Sequence, residues 1–351
     1  MRKTRLAAFV AVVLAVGALA SAGGVSAKNS QHATVNYKVG LVTDIGGLND
    51  RGFNHLAYVG LLRAEKQLGI QGKVLTSTSG NDYVPNLSSL AKEGYNLIIG
   101  VGFLQEQAIA QVAREFPNTK FAGVDMNAPG DFSSYGGITK NFEGLIFKEN
   151  QVGYEVGYLA GLEAQRLGGK NTVSSVGGVP VPAVIRYIAG FQAGAKAADP
   201  SVTVLNGYSN DFVAQDKCEN IALQQIAQGS EVVFQVAGGC GLGALQAAKQ
   251  KNVWGIGVDA DQWYVNNKVL TSAQKKVDVA VYTAILDQVK RDVFAGGTNL
   301  VFDAKNKGVG LGRINAAVPA AEVKKAKAEA FLVQTGKINP PAACAQKNCG
   351  G

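Results

Sequence analysis

Histidine is almost missing from this chain: His32 and His55 are the only two in 351 residues. That scarcity argues against a histidine-rich metal centre, and none of the four cysteines stands at a zinc-knuckle spacing. The sequence holds no Gly-x-Ser-x-Gly elbow and no Cys–His pair, so the usual routes to an activated nucleophile are absent. Past the first 27 residues no apolar run is long enough to span a bilayer. The formal charge of +8 includes Arg2, Lys3 and Arg5, and the other basic residues are dispersed. Their densest group, Lys324, Lys325 and Lys327, reads as the solvated face of a C-terminal helix. A nucleic-acid surface needs a basic stripe with stacking aromatics, and none is present.

What is there begins with a targeting pattern. A basic start, an apolar stretch over residues 6–19 and the small-residue run Val25-Ser26-Ala27 read as a signal segment over residues 1–27, cleaved on export. The remaining chain of about 324 residues favours two domains over one. All four cysteines fall in the exported part, and an even count in an oxidising compartment points to two disulfides. Cys344 and Cys349 are close enough to close a small loop on the tail. Cys218 and Cys240 each lie near the start of an expected helix in consecutive α/β units, which makes Cys218–Cys240 the second expected bridge.

Strand and helix alternate from residue 37 onward. Strands are expected at 37–43, 74–76, 96–101, 120–124 and 135–141, with helices at 53–68, 86–93 and 105–116. A long helix over 142–166 carries Gly153, Gly157 and Gly161 at every fourth position, a mark of close helix packing. The rhythm then restarts, with strands at 172–176, 203–206, 231–236 and 254–258 and helices at 182–198, 215–228 and 242–250. A closing helix is expected over 320–333. Short apolar runs between amphipathic helices mean parallel sheets covered on both faces. The fold class is therefore α/β, with two doubly wound parallel-sheet lobes joined by a hinge. Residues 36–141 plus 262–296 form the expected N-terminal lobe, 142–261 plus 297–335 the C-terminal lobe, and 336–351 a tail. The crossings fall near Asn141, Asp261 and Gly296-Gly297.

The most informative stretch runs from Val39 to Asn54, VGLVTDIGGLNDRGFN. Asp44 stands where a buried strand stops, Gly46-Gly47 permits a turn with unusual backbone angles, and Asn49 or Asp50 can cap the following helix. Phe53 and Asn54 then occupy that helix's first turn. All of this converges at the carboxyl end of a strand, where ligands bind in open α/β sheets. Asp125 and Asp259 likewise end expected strands.

The pattern Asp44-x-Gly-Gly-x-Asn-Asp-x-Gly-Phe53-Asn54 resembles the opening signature of the basic membrane protein family, the substrate-binding proteins of ABC importers similar to purine nucleoside receptors. Val124-Asp125, Gly257-Val258-Asp259-Ala260-Asp261-Gln262, Leu270-Thr271-Ser272 with Lys275, and Val277-Asp278-Val279-Ala280-Val281 match in the same order, so the likeness runs from about Tyr37 to about Asn315. It implies a type I periplasmic binding protein fold, a nucleoside ligand, and an ABC permease as membrane partner. Many members of the family are lipoproteins. No cysteine stands near residue 27, so the expectation here is an exported, soluble, monomeric receptor in the periplasm or at the cell surface, without a cofactor.

A nucleoside presents a flat base, donor and acceptor edges, and vicinal ribose hydroxyls. Phe53 and Phe212 are the expected stacking pair, one from each lobe. Asn54 and Asp125 suit the base edge, and Asp44 suits either that edge or the sugar. Asp259 and Lys275 suit the ribose. Gly238 opens a Gly-Gly-Cys-Gly-Leu-Gly loop that permits close backbone approach to the sugar. The loop's other reading, a phosphate cradle, lacks the Walker lysine. A free sugar or furanose signal in the same fold, a secreted regulator or antigen with a protein partner, and a calcium-dependent nucleoside hydrolase built on Asp44, Asp50, Asp125 and Asp259 stand as the alternative functions.

Overall fold

The computed structural model describes residues 35–137 and 140–344. The expected signal segment and Cys349 lie outside the described residues. The first lobe opens with β1 (Lys38–Val42), α1 (Phe53–Leu68), β2 (Gln71–Leu75), α2 (Tyr83–Lys92), β3 (Leu97–Val101), α3 (Glu106–Glu115), β4 (Lys120–Val124) and β5 (Phe142–Phe147). The chain then builds the second lobe from α4 (Glu149–Leu167), β6 (Thr172–Gly177), α5 (Pro182–Ala198), β7 (Thr203–Tyr208), α6 (Gln215–Gln228), β8 (Ser230–Val236), α7 (Gly241–Gln250), β9 (Trp254–Asp259) and β10 (Val269–Lys275). Next come α8 (Val277–Leu286), β11 (Asn299–Phe302), β12 (Val309–Leu311) and α9 (Ala320–Gln334).

Each lobe is a six-stranded sheet, ordered β11-β5-β4-β3-β1-β2 in the first and β12-β10-β9-β8-β6-β7 in the second. Counted along each half, the two orders are the same. All pairs are parallel except β10–β12. The central strands are buried on both faces, as in Leu97-Ile98-Ile99-Gly100-Val101, so they read as unbroken apolar runs rather than alternating ones. No helix among the described residues is long and apolar enough to cross a membrane.

Three expectations are corrected. Residues 135–141 do not form a strand among the described positions: Asp131–Tyr135 is a 3-10 turn closed by Gly136 at φ 88°. The last strand of the first run is Phe142–Phe147, and the long helix starts only at Glu149. Phe142, Leu145 and Phe147 are buried and Glu143 is held by the Ala295 N–H, an environment that a sheet between β4 and β11 provides. The lobe boundaries shift with it. β5 and β11 belong to the first sheet and β10 to the second, so the crossings fall at Lys148, Lys276 and residues 303–308, not near Asn141, Asp261 and Gly296-Gly297. The assignment of 262–296 to the first lobe holds only from α8 onward, which packs on α1.

The crossings share a geometry. Lys148 (φ −95°, ψ 66°) and Lys276 (φ −82°, ψ 64°) both sit near the inverse γ-turn minimum, each between a strand and a helix. Their N–H groups donate to Phe302 and Gly308 carbonyls at 2.9 and 2.8 Å, so both crossings are tied to the third. On the second lobe, α4 and α5 pack at backbone contact. A Cβ on Gly153, Gly157 or Gly161 would run into the main chain of α5 at Tyr187, Phe191 or Ala195. Gly190 and Gly194 answer from the other side, meeting the carbonyls of Asn150 and Tyr154.

Candidate functional site

The strand order reverses beside β1 in the first sheet and beside β6 in the second, and a cavity of about 70 Å³ lies where those two switch points face each other. Asp44, Phe53, Asn54 and Asp125 line it from the first lobe, and Phe212, Gly238, Asp259 and Lys275 from the second. All eight residues singled out from the sequence are thus brought together. The lobes meet around this cavity: Gly46 lies against Phe212 and Val213, Gly52 against Asp259, and the Gln262 amide donates to the Arg51 carbonyl at 3.3 Å.

Local chemistry explains each placement. The Asp50 carboxylate accepts N–H groups from Gly52, Asn54 and His55 at 3.0, 2.7 and 3.1 Å, which satisfies the first turn of α1 and aims Phe53 and Asn54 at the cavity. His55 is exposed. Asn54 Oδ1 accepts the Asp44 N–H at 3.0 Å, which leaves its Nδ2 donors and one oxygen lone pair for a ligand. Asp44 accepts the Tyr83 hydroxyl at 2.5 Å and the Ile45 N–H at 2.7 Å through Oδ1. Its other oxygen faces Gly102, whose φ of 104° and missing Cβ make room for the carboxylate. Burial pushes the Asp44 carboxyl up to about 6, against the pull of the Tyr83 hydrogen bond.

Asp125, just after β4, and Asp259, at the end of β9, lie in the left-handed region at φ 66° and 60°, a conformation Asp tolerates better than most side chains. Both Asp125 oxygens lie 2.6 Å from Lys275 Nζ, which also donates to Glu149 at 2.9 Å. Glu149 in turn accepts Arg186 Nε at 2.6 Å. Burial opposes the charge of Glu149, but Lys275 and Arg186 outweigh it and hold the carboxyl below its usual range. Lys275 is likewise driven upward by Asp125, Glu149 and Asp259 in spite of its burial. Its ammonium stands 5.0 Å from the Phe53 ring centroid and 4.9 Å from that of Phe147. Asp259 accepts the Tyr187 hydroxyl at 3.2 Å, and burial lifts its carboxyl to about 7.

Phe212 is held by its own backbone. Its carbonyl accepts the Cys240 N–H at 3.0 Å, and Gly178 leaves space for its ring. The expected Cys218–Cys240 bridge forms here, with Cα atoms 5.6 Å apart, pinning α6 to the start of α7. In the glycine loop the N–H groups of Cys240, Gly241, Leu242 and Gly243 are each engaged by backbone carbonyls. Cys344 is also disulfide-bonded; its expected partner Cys349 lies outside the described residues.

The sequence reading missed Tyr187, Val181 and Val184, which bring an apolar wall and a hydroxyl from the first turns of α5. It also missed Phe103 and Leu104 after β3. Their signal was positional: each follows a strand flanking a switch point. Among the described residues no cluster of three or more His, Cys, Asp or Glu forms a metal site. The four aspartates of the hydrolase alternative are engaged separately, Asp50 by amides, Asp44 by Tyr83, Asp125 by Lys275 and Asp259 by Tyr187.

Comparison with known proteins agrees with this architecture. Residues 37–339 match the family model described as ABC transporter substrate-binding protein PnrA-like. An ABC transporter nucleoside-binding protein, BmpA, of Lactococcus lactis subsp. cremoris is 34% identical, covering 97% of this chain and 99% of its own. A CD4+ T-cell-stimulating antigen of Listeria monocytogenes is also 34% identical, over 89% of this chain and 91% of that protein. The crystal structure of an ABC transporter solute-binding protein from Aeropyrum pernix superposes with a TM-score of 0.77 at 24% identity, covering 86% of this chain and 92% of the other. With a matching family model over nearly the whole described chain and two facing α/β lobes, this protein belongs to the Bmp family of ABC transporter substrate-binding proteins.

Proposed function

We propose that the interlobe cavity binds a nucleoside, a purine nucleoside first among them, and that the exported protein acts as a monomer that hands it to its permease. The observation that carries this reading is the division of the cavity wall. Phe53 and Phe212 enter from opposite lobes, with Phe103, Leu104, Val181 and Val184 extending the apolar surface, while the polar groups form two linked sets, Asp44 with Asn54, and Asp125 and Asp259 with Lys275. Apolar faces with polar edges match a base that stacks in its plane and hydrogen-bonds around its rim. Asn54 Nδ2 and the free oxygen of Asp44 form one edge and take the base. Asp259 sits at the other and accepts from vicinal ribose hydroxyls. Lys275 has two of its three donors engaged by Asp125 and Glu149, so it offers a single donor to the sugar and its main part is to orient Asp125. The relative from Lactococcus lactis, named as nucleoside-binding, supports the same ligand class.

The test is calorimetric titration of the ligand-stripped mature protein with nucleosides, free bases and free sugars. Saturable heat with nucleosides and a much weaker response to sugars is the expected result. Asp259→Ala should weaken ribonucleoside binding by roughly tenfold or more, the value of hydrogen bonds to a charged group, and leave the free base nearly unaffected. Equal loss for both would remove Asp259 from the ribose. Binding of sugars alone would keep the receptor and replace its ligand.

A further inference from the structure

A second groove, of about 430 Å³, lies behind the hinge between α9, β12 and two crossing segments. Lys276 and Lys307 come from those crossings and Lys327 from α9, so three ammonium groups from separate segments border one depression. Lys276 donates to the Gln274 side chain, and among the described residues neither Lys307 nor Lys327 is in a salt bridge. The walls between them are apolar, with Leu311 on β12 and Phe331, which is 58% exposed, on α9. Glu155 of α4 is the acid lining the groove, and it is 3% exposed. It accepts the Leu311 N–H, and burial pushes its carboxyl up to about 8. At neutral pH it therefore presents a proton to donate rather than a charge that would repel an anion.

Concave apolar walls with a few convergent polar groups are the ordinary make-up of a small-molecule site. Here the cations lack acidic partners and the one buried acid is neutral, so the missing charge is negative and the missing surface apolar. We propose that this groove is a second ligand site, separate from the cleft, that takes a small organic anion: an oxyanion head on a short apolar body. The head sits among Lys276, Lys307 and Lys327, and the body lies along Leu311 and Phe331. The proposal is independent of the cleft's ligand.

The experiment is an NMR titration of the mature chain at constant ionic strength with hexanoate, 1-hexanol and inorganic phosphate, repeated on Lys307→Ala/Lys327→Ala. Both lysines are exposed, and an unchanged melting temperature will show that the double variant is folded. The expected result is saturable hexanoate binding that shifts the amides of Leu311 and Lys327, weaker binding of the other two probes, and a loss of roughly three- to tenfold in the variant. Stronger binding of phosphate than of hexanoate would overturn the apolar part of the assignment. Hexanol binding as tightly as hexanoate, no saturation, or equal affinity in the variant would overturn the site.

Discussion

Asp259 shows how much a single buried carboxyl can govern. Its native value of about 7 lies well above the unfolded 3.8, chiefly because the cavity strips its solvent. Between those two values the native state holds a proton that the unfolded chain has released. Stability is therefore full below the unfolded value and falls as pH rises through the window from about 4 to about 7. Asp259→Asn mimics the protonated form and keeps an acceptor for Tyr187. Melting of the ligand-free protein should show the variant more stable than wild type at pH 8, on the order of one to a few kcal/mol, with the gap closing toward pH 5. A gap that does not change with pH would refute the burial argument. Asp44, lifted to about 6, adds the same sign over a narrower range. At this scale the sequence was informative, since a carboxylate ending an apolar run is visible by position. What a string cannot report is occupancy: one lone pair of the Asn54 oxygen, and two of the Lys275 donors, are already taken by neighbours 10 to 150 residues away.

Among the elements, α4 and α5 make the tightest approach, and glycine is the cause. Gly157→Ala would place a methyl group into the backbone of α5 at Phe191, with no flexible side chain to yield. The expected cost is about 1–3 kcal/mol, the range for overpacking, read as a lower thermal midpoint with unchanged helix content. A neutral Gly157→Ala would show that the helices can separate without loss. The four-residue glycine rhythm announced this contact but not its partner, because Gly190 and Gly194 complete it from another helix. Val277-Asp278-Val279-Ala280-Val281 points the other way. Local propensity gives such a β-branched run to a strand, yet it is the start of α8, buried against α1. The strand at Phe142–Phe147 was misplaced for the same reason: Glu143 and Gly144 interrupt the apolar signal, and only neighbours on both sides make the segment a strand.

For the whole molecule, the decisive group is the buried charge cluster that joins the lobes. Asp125 follows a strand of the first sheet, Lys275 ends one of the second, and Glu149 opens the helix after the first crossing. Lys275 and Glu149 are direct neighbours of the crossing residues Lys276 and Lys148, so their ion pair sits at the pivot. Removing one partner from such a group leaves an uncompensated charge. Lys275→Met should cost about 3–5 kcal/mol, and adding Asp125→Asn should recover part of that loss. Strict additivity of the two changes in a double-mutant cycle would show that the pair is not coupled. Closure itself should appear as a smaller radius of gyration in solution scattering when the cleft ligand is added.

Alone, the sequence determined the parts: alternating apolar runs and amphipathic helices, the turn and cap that place Phe53, the aspartates at strand ends, and cysteines positioned to pair. These are local matters, set by backbone conformation and by periodicity within a few residues. The tertiary structure decided which sheet each late strand joins, where the chain crosses between lobes, and which polar atoms of the site stay free for a ligand. Those depend on contacts between residues far apart in the chain. A strand's neighbours and a hydrogen bond's second partner exist only once the two sheets are formed and brought face to face.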